Sequence, residues 1–112
     1  MRLVIIESPY AGRLVADVEA NVAYARRCVR DALARGEAPI ASHLLYTQPG
    51  ILDDEIPEER AWGISAGLAW RHVAECSAVY TDRGISAGMK YGIEQAEQAG
   101  IAVEYRTLDP SP

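Results

Sequence analysis

The chain has 112 residues and a mass of 12.2 kDa. Its composition, 49% hydrophobic and 24% charged, is that of an ordinary soluble globular protein. Folding at this length removes roughly 65% of the unfolded chain's surface from water, which suffices for one core but not for two lobes around a cleft. We therefore expect a single domain over residues 1–108 and a disordered tail over 109–112, with a pocket that is shallow or completed by another chain.

Sixteen acidic and eleven basic residues give a formal net charge of −5, and the basic residues are spread among the acidic ones. Binding to DNA or RNA needs clustered positive charge, so this pattern argues against a nucleic-acid polymer as partner. No apolar run approaches the ~20 residues of a membrane span, and the run at residues 3–6 is too short for a signal peptide. These features predict a cytoplasmic protein with no membrane partner.

The two cysteines, Cys28 and Cys76, belong to no CxxC pair and to no Cys/His cluster. Both fall in predicted helices, where we interpret them as small core residues of a protein from a reducing compartment. The sequence thus predicts no metal site and no bound cofactor.

The first half of the chain predicts a strand, a helix and a second strand. Residues 3–6 are continuously apolar, which is typical of a strand buried on both faces. Apolar residues then recur at helical spacing over about residues 14–35, and Gly36 ends this helix. A short second strand is predicted at residues 38–41, and a loop rich in Gly, Pro and Asp continues to Ile56.

The second half continues the alternation of helices and strands. Pro57, in a first helical turn surrounded by acidic residues, starts a helix that runs to about Glu75. This helix is apolar over a wide arc, so we expect it to contact two neighbours. The third strand is predicted at residues 77–81, the third helix from Met89 until Gly100, and the last strand at residues 102–106.

This order of elements predicts an α/β protein with a three-layer Rossmann-like fold. A four-stranded parallel sheet in the order 2-1-3-4 is expected, with right-handed crossovers and helices on both faces. In such a sheet a ligand binds beyond the carboxyl ends of the strands, where the strand order reverses. The reversal lies between the first and third strands, so the site is expected between the loops at residues 7–13 and 82–88.

The second of these loops leads into a helix through small residues. Free backbone N–H groups and the helix dipole attract an anion there, which makes Ser86, Ala87 and Gly88, with Met89 after them, a candidate cradle for a phosphate or a sugar. A plain N-cap role for Ser86 is an equal alternative.

The first loop adds further candidates for binding a ligand that contains a planar base and a sugar or phosphate. They are Ser8, Pro9, Tyr10, Gly12 and Arg13. Gly12 is explained equally well as a turn residue, and Arg13 as a residue with a solvated side chain. His43, after the second strand, is either a hydrogen-bond donor to the ligand or a structural residue.

Two loop sequences make the chain resemble the nucleoside 2-deoxyribosyltransferase-like superfamily. They are Ser-Pro-Tyr-Ala-Gly-Arg at residues 8–13 and Ser-Ala-Gly-Met-Lys-Tyr at residues 86–91. The resemblance extends from Met1 to about Leu108, and it looks nearest to small uncharacterised phage and bacterial branches. It implies that a nucleoside or nucleotide binds and that its N-glycosidic bond is cleaved or transferred, as in the 2′-deoxynucleoside 5′-phosphate N-hydrolases of the superfamily.

The resemblance also implies a reactive glutamate on the helix after the Ser/Gly turn, because a carboxylate stabilises an oxocarbenium-like transition state. That position is Gly92 here, and the family's helper aspartate aligns near Leu68. Glu94 is the nearest acid, but two residues along a helix rotate a side chain by about 200°. Glu7 and Asp82 flank the proposed cleft, and if they lie close together one pKa should rise, giving an acid and base pair.

Two functions therefore remain open. The first is an N-glycosidase or deoxyribosyltransferase that uses Glu7, Asp82 or Glu94, with Tyr10 orienting the substrate. The second is a non-catalytic module that senses or sequesters a nucleotide-derived ligand. If Glu94 lines the same hollow as Ser86 and Tyr10, the enzyme is favoured; if it faces solvent, the binding module is favoured. A purely structural interaction domain is a third alternative, which requires a cleft filled by side chains.

The predicted helix at residues 57–75 also indicates a surface for a second copy of the chain. Its apolar residues include Trp62, Ile64, Leu68 and Val73. We therefore expect a homodimer or a higher homo-oligomer, in which the acidic loop at residues 53–55 supplies a catalytic acid to the partner's site.

Overall fold

The structure is a computed structural model that describes residues 1–108, so the predicted tail at 109–112 lies outside the described residues. Its four strands are all parallel and form one sheet in the order β2-β1-β3-β4. They are β1 (Leu3–Glu7), β2 (Ala38–Ile40), β3 (Cys76–Tyr80) and β4 (Ala102–Arg106). The prediction of an α/β fold with a sheet in the order 2-1-3-4 is confirmed.

Four α-helices connect these strands: α1 (Val15–Ala34), α2 (Ser42–Leu45), α3 (Pro57–Ala69) and α4 (Ala87–Gln98). Helix α2, at the start of the predicted loop, was not expected from the sequence. The helix after Pro57 is shorter than predicted, because α3 ends at Ala69 and a 3₁₀ turn continues it only to His72. Cys76 was consequently assigned to a helix, whereas it begins β3 and is fully buried in the core.

Side chains of β1 alternate between the two faces of the sheet. Val4 and Ile6 belong to the main core, together with Tyr24 and Cys28 of α1 and with Ala78 of β3. On the opposite face, Val79 packs against Met89 and Ile93 of α4. The register pairs Glu7 of β1 with this valine, so the Glu7 side chain belongs to the α4 face of the sheet.

A buried ion pair joins the far edge of the sheet to the turn after α1. The Arg106 guanidinium donates from Nη1 and Nη2 to the two carboxylate oxygens of Glu37, each at 2.7 Å, and both residues are buried. Nη2 also donates to Glu104 at 3.0 Å. Because two short hydrogen bonds pair the buried charges, this ion pair fixes β4 against the end of α1.

Helix α3 contributes little to either core. None of its residues is fully buried, and 67% of Trp62 and 45% of Ile64 are exposed. It packs mainly against α2, where Gly67 lets the two helices approach closely: a Cβ at this position would lie 2.5 Å from Ser42 Oγ. Apolar surface of α3 is therefore open to solvent in the single chain, while the predicted homo-oligomer stays a prediction.

No helix within residues 1–108 is long and apolar enough to cross a membrane.

Candidate functional site

A cavity of about 340 Å³ lies between α3, α4 and the face of the sheet that carries Ile5, Glu7 and Ser77. Its position beside β1 and β3 is the point at which the strand order reverses, where the sequence analysis expected the site. The volume is within the range of small-molecule sites. The cavity exists because α3 packs against α2 and not against the sheet. Side chains therefore do not fill the space between α3 and the sheet.

Glu7, the last residue of β1, places its carboxyl group in this cavity opposite Gly92 of α4. A Cβ added at Gly92 would clash with Glu7 Oε2, and it would lie 2.7 Å from Cδ and 3.0 Å from Oε1. Glycine in a helix interior costs about 1 kcal/mol relative to alanine, so its presence here needs a reason. The reason is that the Glu7 carboxyl group occupies the space that any larger residue would need.

Burial raises the pKa of Glu7 from 4.5 to about 8. Desolvation is the cause, because removal from water disfavours the charged form of a carboxyl group. No hydrogen bond or ion pair formed by residues 1–108 offsets it. The group is therefore protonated at neutral pH and can donate a proton into the cavity.

Ser8 and His43 form a polar pair in the wall of the same cavity. Ser8 Oγ and His43 Nε2 share a hydrogen bond of 2.6 Å, which links the loop after β1 to helix α2. Burial lowers the pKa of His43 from 6.5 to about 4, so the imidazole is neutral at pH 7. The pair can orient a ligand by hydrogen bonding without adding a charge.

The loop after β1 is held in place from the other face of the sheet. Asn21 of α1 donates from Nδ2 to the carbonyl oxygen of Tyr10 at 3.0 Å, and its Oδ1 accepts from Arg83 Nε at 3.0 Å. One buried amide therefore connects the two loops that flank the site. This contact fixes the backbone next to the Tyr10 side chain, which lines the cavity.

The structure shows the N-cap role that was one of the two alternatives for Ser86. Its side chain accepts from the Met89 N–H at 3.2 Å, which makes it the N-cap of α4. It also lines the cavity together with Ala87, Gly88 and Met89. The start of α4 therefore faces the same space as the Glu7 carboxyl group.

Several predicted site residues lie outside the cavity lining. Pro9 is buried behind it, and Gly12 and Arg13 are exposed beyond Ala11, the last residue of this loop in the lining. Glu94 is exposed on the solvent side of α4 and does not line the cavity either. The 200° rotation between Gly92 and Glu94 accounts for this placement.

Asp82 lies on the α1 side of the sheet rather than beside Glu7. Its carboxylate accepts from Tyr24 Oη at 2.6 Å and from the Leu108 N–H at 3.0 Å. The shift in the Glu7 pKa is due to desolvation and not to a second carboxylate. The structure therefore separates the two acids that the sequence analysis had paired.

Ser77 and Arg71 are among the cavity residues that were not predicted from the sequence. Ser77 is 1% exposed, and its Oγ has no hydrogen-bond partner within residues 1–108. Arg71 Nη1 is also buried and unpartnered in this part of the chain. A signal existed in the sequence, because Gly63, Gly67 and Arg71 recur every four residues and mark one helical face.

No group of three or more His, Cys, Asp or Glu within residues 1–108 is arranged to hold a metal ion.

Comparison with solved structures places the fold among the 2-deoxyribosyltransferases. The enzyme from Bacillus psychrosaccharolyticus superposes with a TM-score of 0.65 at 14% identity, over 98% of this chain and 75% of that one. The enzyme from Leishmania mexicana superposes with a TM-score of 0.61 at 11% identity, over 100% of this chain and 68% of that one. The chain thus has a nucleoside 2-deoxyribosyltransferase-like fold, as its loop sequences predicted.

The family is shown by a sequence model that covers most of the chain. Residues 2–106 match the model described as "Domain of unknown function (DUF7768)", and the chain belongs to this family. No curated protein matches it.

Proposed function

We propose that the cavity binds a nucleoside- or nucleotide-derived small molecule and that Glu7 promotes cleavage of its N-glycosidic bond. The observation that carries the proposal is the Glu7 carboxyl group, buried in the cavity at the place that Gly92 leaves open. The resemblance implies a reactive carboxyl group on the helix at this level. In this chain Gly92 of α4 leaves that position open, and the carboxyl group comes from Glu7 of the neighbouring strand β1.

The pKa of Glu7, raised to about 8, suits the role of general acid at neutral pH. Glu7 donates its proton to the base nitrogen while the bond between that nitrogen and the anomeric carbon breaks. The carboxylate that remains stabilises the positive charge developing on the sugar. Water then attacks the anomeric carbon and returns a proton to Glu7, so the products are the free base and the free sugar. In a transfer reaction, a second base replaces water.

Other cavity residues would position the substrate. Tyr10 offers an aromatic face for a planar base, and the Ser8–His43 pair offers neutral hydrogen bonds to polar atoms of the ligand. These groups and Ser86 surround the outer part of the cavity, at the carboxyl ends of β1 and β3.

The test is release of free base from a panel of nucleosides, 2′-deoxynucleosides, their 5′-monophosphates and NAD-like dinucleotides, followed by chromatography. Wild type is expected to release base from at least one of them. Glu7→Gln should slow this by about 10²- to 10⁴-fold, the usual contribution of a general acid. Glu94→Gln is the matched control, because it removes an exposed carboxylate from the same region and should leave the rate unchanged.

A non-catalytic sensing or sequestering module is the second candidate, and the exposure of Glu94 favours it. It predicts that a panel compound raises the melting temperature of the wild type without releasing base. Base release that depends on Glu7 contradicts the sensing module. Failure of the folded protein to release base from any compound contradicts the enzyme.

A further inference from the structure

The inner end of the cavity differs from its outer end in having polar groups without partners. We define the inner end by Arg71, Ser77 and Gln95, which all line the cavity. Arg71 lies in the 3₁₀ turn before β3, Ser77 is the second residue of β3, and Gln95 is in the last turn of α4. The topology places all three toward the amino ends of the strands, away from Ser86 at the start of α4.

Two buried polar atoms at this inner end lack a hydrogen-bond partner within residues 1–108: Arg71 Nη1 and Ser77 Oγ. Buried side-chain polar atoms are nearly always hydrogen-bonded, so each unpartnered one calls for an explanation. A guanidinium group keeps its charge in proteins and has only donors to offer. Leaving such a donor buried and unpaired is costly, and the cost is recovered when an anionic oxygen binds to it.

The positions of these groups relative to Glu7 fit one extended ligand. Glu7 pairs with Val79 in the sheet register, and Ser77 lies two residues nearer to the amino end on the same face of β3. This corresponds to roughly 7 Å along the strand. The separation is comparable with the length of a sugar that carries an anionic group at its far end. A ligand with its anomeric carbon at Glu7 therefore extends its other end toward Arg71.

We propose that the inner end of the cavity is a subsite for an anionic group of the ligand, a phosphate or a carboxylate, which Arg71 and Ser77 bind by hydrogen bonds. The inference rests on the proposed function, because the anion belongs to the ligand that places its glycosidic bond at Glu7. It separates the anion from the start of α4, where the sequence alone had suggested it.

The experiment measures binding by calorimetry for three matched sets of compounds: 2′-deoxynucleosides, their 5′-monophosphates and their 5′-carboxylates. Wild type is expected to bind one of the anionic sets about 10- to 100-fold more tightly than the neutral set, the range that corresponds to one hydrogen bond to a charged group. The better of the two anionic sets identifies the anion as phosphate or carboxylate.

Arg71→Gln should abolish this preference. Arg71→Lys keeps the charge without the planar fork and should give an intermediate preference. Arg30→Gln, which removes an exposed arginine from α1 on the other face of the sheet, is the matched control and should preserve the preference. Thermal unfolding checks that each variant is folded.

A preference for the anionic compounds that survives Arg71→Gln overturns the proposal. A preference that is lost in Ser86→Ala but kept in both Arg71 variants also overturns it, because it places the anion at the start of α4. Absence of binding by any compound overturns this proposal and the proposed function together. An Arg71-dependent preference without base release supports the subsite and contradicts only the catalytic role of Glu7. Base release by a wild type that shows no preference for an anion supports the catalytic role of Glu7 and overturns the subsite.

Discussion

Replacing Glu7 by glutamine should make the protein more stable at neutral pH. The unfolded chain releases the Glu7 proton near pH 4.5, whereas the folded protein holds it to about pH 8. Between these values the folded state binds more protons than the unfolded state, so the free energy of unfolding falls as the pH rises. The amide of glutamine is neutral at every pH, and it therefore does not lose stability in this range.

The size of the effect follows from the shift in pKa. Each unit is worth about 1.4 kcal/mol, so the two and a half units between the unfolded pKa and pH 7 correspond to about 3 kcal/mol. Below pH 4 the Glu7 carboxyl group is neutral in both states, and the stabilities of wild type and Glu7→Gln should converge. Above pH 8 the difference should become constant at about 5 kcal/mol.

Urea unfolding of both proteins at unit steps from pH 4 to pH 9 measures this difference. Glu94→Gln is the control, because it makes the same change from a carboxyl group to an amide at an exposed position. A difference between wild type and Glu7→Gln that stays constant across the range would refute the reasoning, since it would mean that Glu7 titrates alike in both states. Functional sites often contain residues that lower the stability of the fold, and a buried carboxyl group in a cavity is such a residue.

Further predictions concern the surroundings of Glu7 and the two cores. Gly92→Ala should stabilise the Glu7→Ala variant by about 1 kcal/mol, because alanine has the higher helix propensity. In wild type it should give no gain in stability, because displacing the Glu7 carboxyl group costs about 0.5–1.5 kcal/mol. Equal effects of Gly92→Ala in the two backgrounds, measured by urea unfolding, would contradict the contact between Glu7 and Gly92. Arg106→Gln removes the bidentate partner of the buried Glu37 carboxylate, which keeps only the longer ion pair with Arg2 at 3.7 Å, and should lower the free energy of unfolding by about 3 kcal/mol. Arg35→Gln, in an exposed ion pair, should lower it by less than about 1 kcal/mol. The ring protons of His43 should titrate with a midpoint near pH 4 by NMR, and a midpoint near 6.5 would show that the imidazole is solvated; because the folded pKa is the lower one, the contribution of this group to stability is lost as the pH falls from 6.5 to 4.

The sheet could be predicted from the sequence because its signals are local. A continuous apolar run marks β1, and helical periodicity bounded by Gly36 and Gly100 marks α1 and α4, where both glycines adopt positive φ. Alternation of strands and helices then fixes the parallel order. Helix α2 was missed because its four residues are too short to show a period, and Cys76 was misassigned because apolar residues before β3 continue the pattern of α3.

The site was predictable in its position but not in its details. Helix geometry alone predicts that Glu94 points away from the position of Gly92, and Glu94 is exposed in the structure. The relation between Glu7 and Gly92 joins a strand to a helix that is 85 residues away in sequence, and no local pattern carries it. Asp82 was paired with Glu7 because both follow strands at the same sheet edge. The face of the sheet on which a loop side chain lies depends on tertiary contacts. For Asp82 this contact is the hydrogen bond that Tyr24 donates.

The alternation of side chains along β1 divides residues 4–7 between two roles. Val4 and Ile6 point into the core that holds α1 to the sheet, and Ile5 and Glu7 point into the cavity. Substitutions at the odd positions can therefore alter what the cavity accepts while the even positions keep the chain folded. A protein of 112 residues has little interior to spare. Here one strand forms a wall of both the core and the cavity, so that residues facing the cavity can change in a domain too small for a separate lobe.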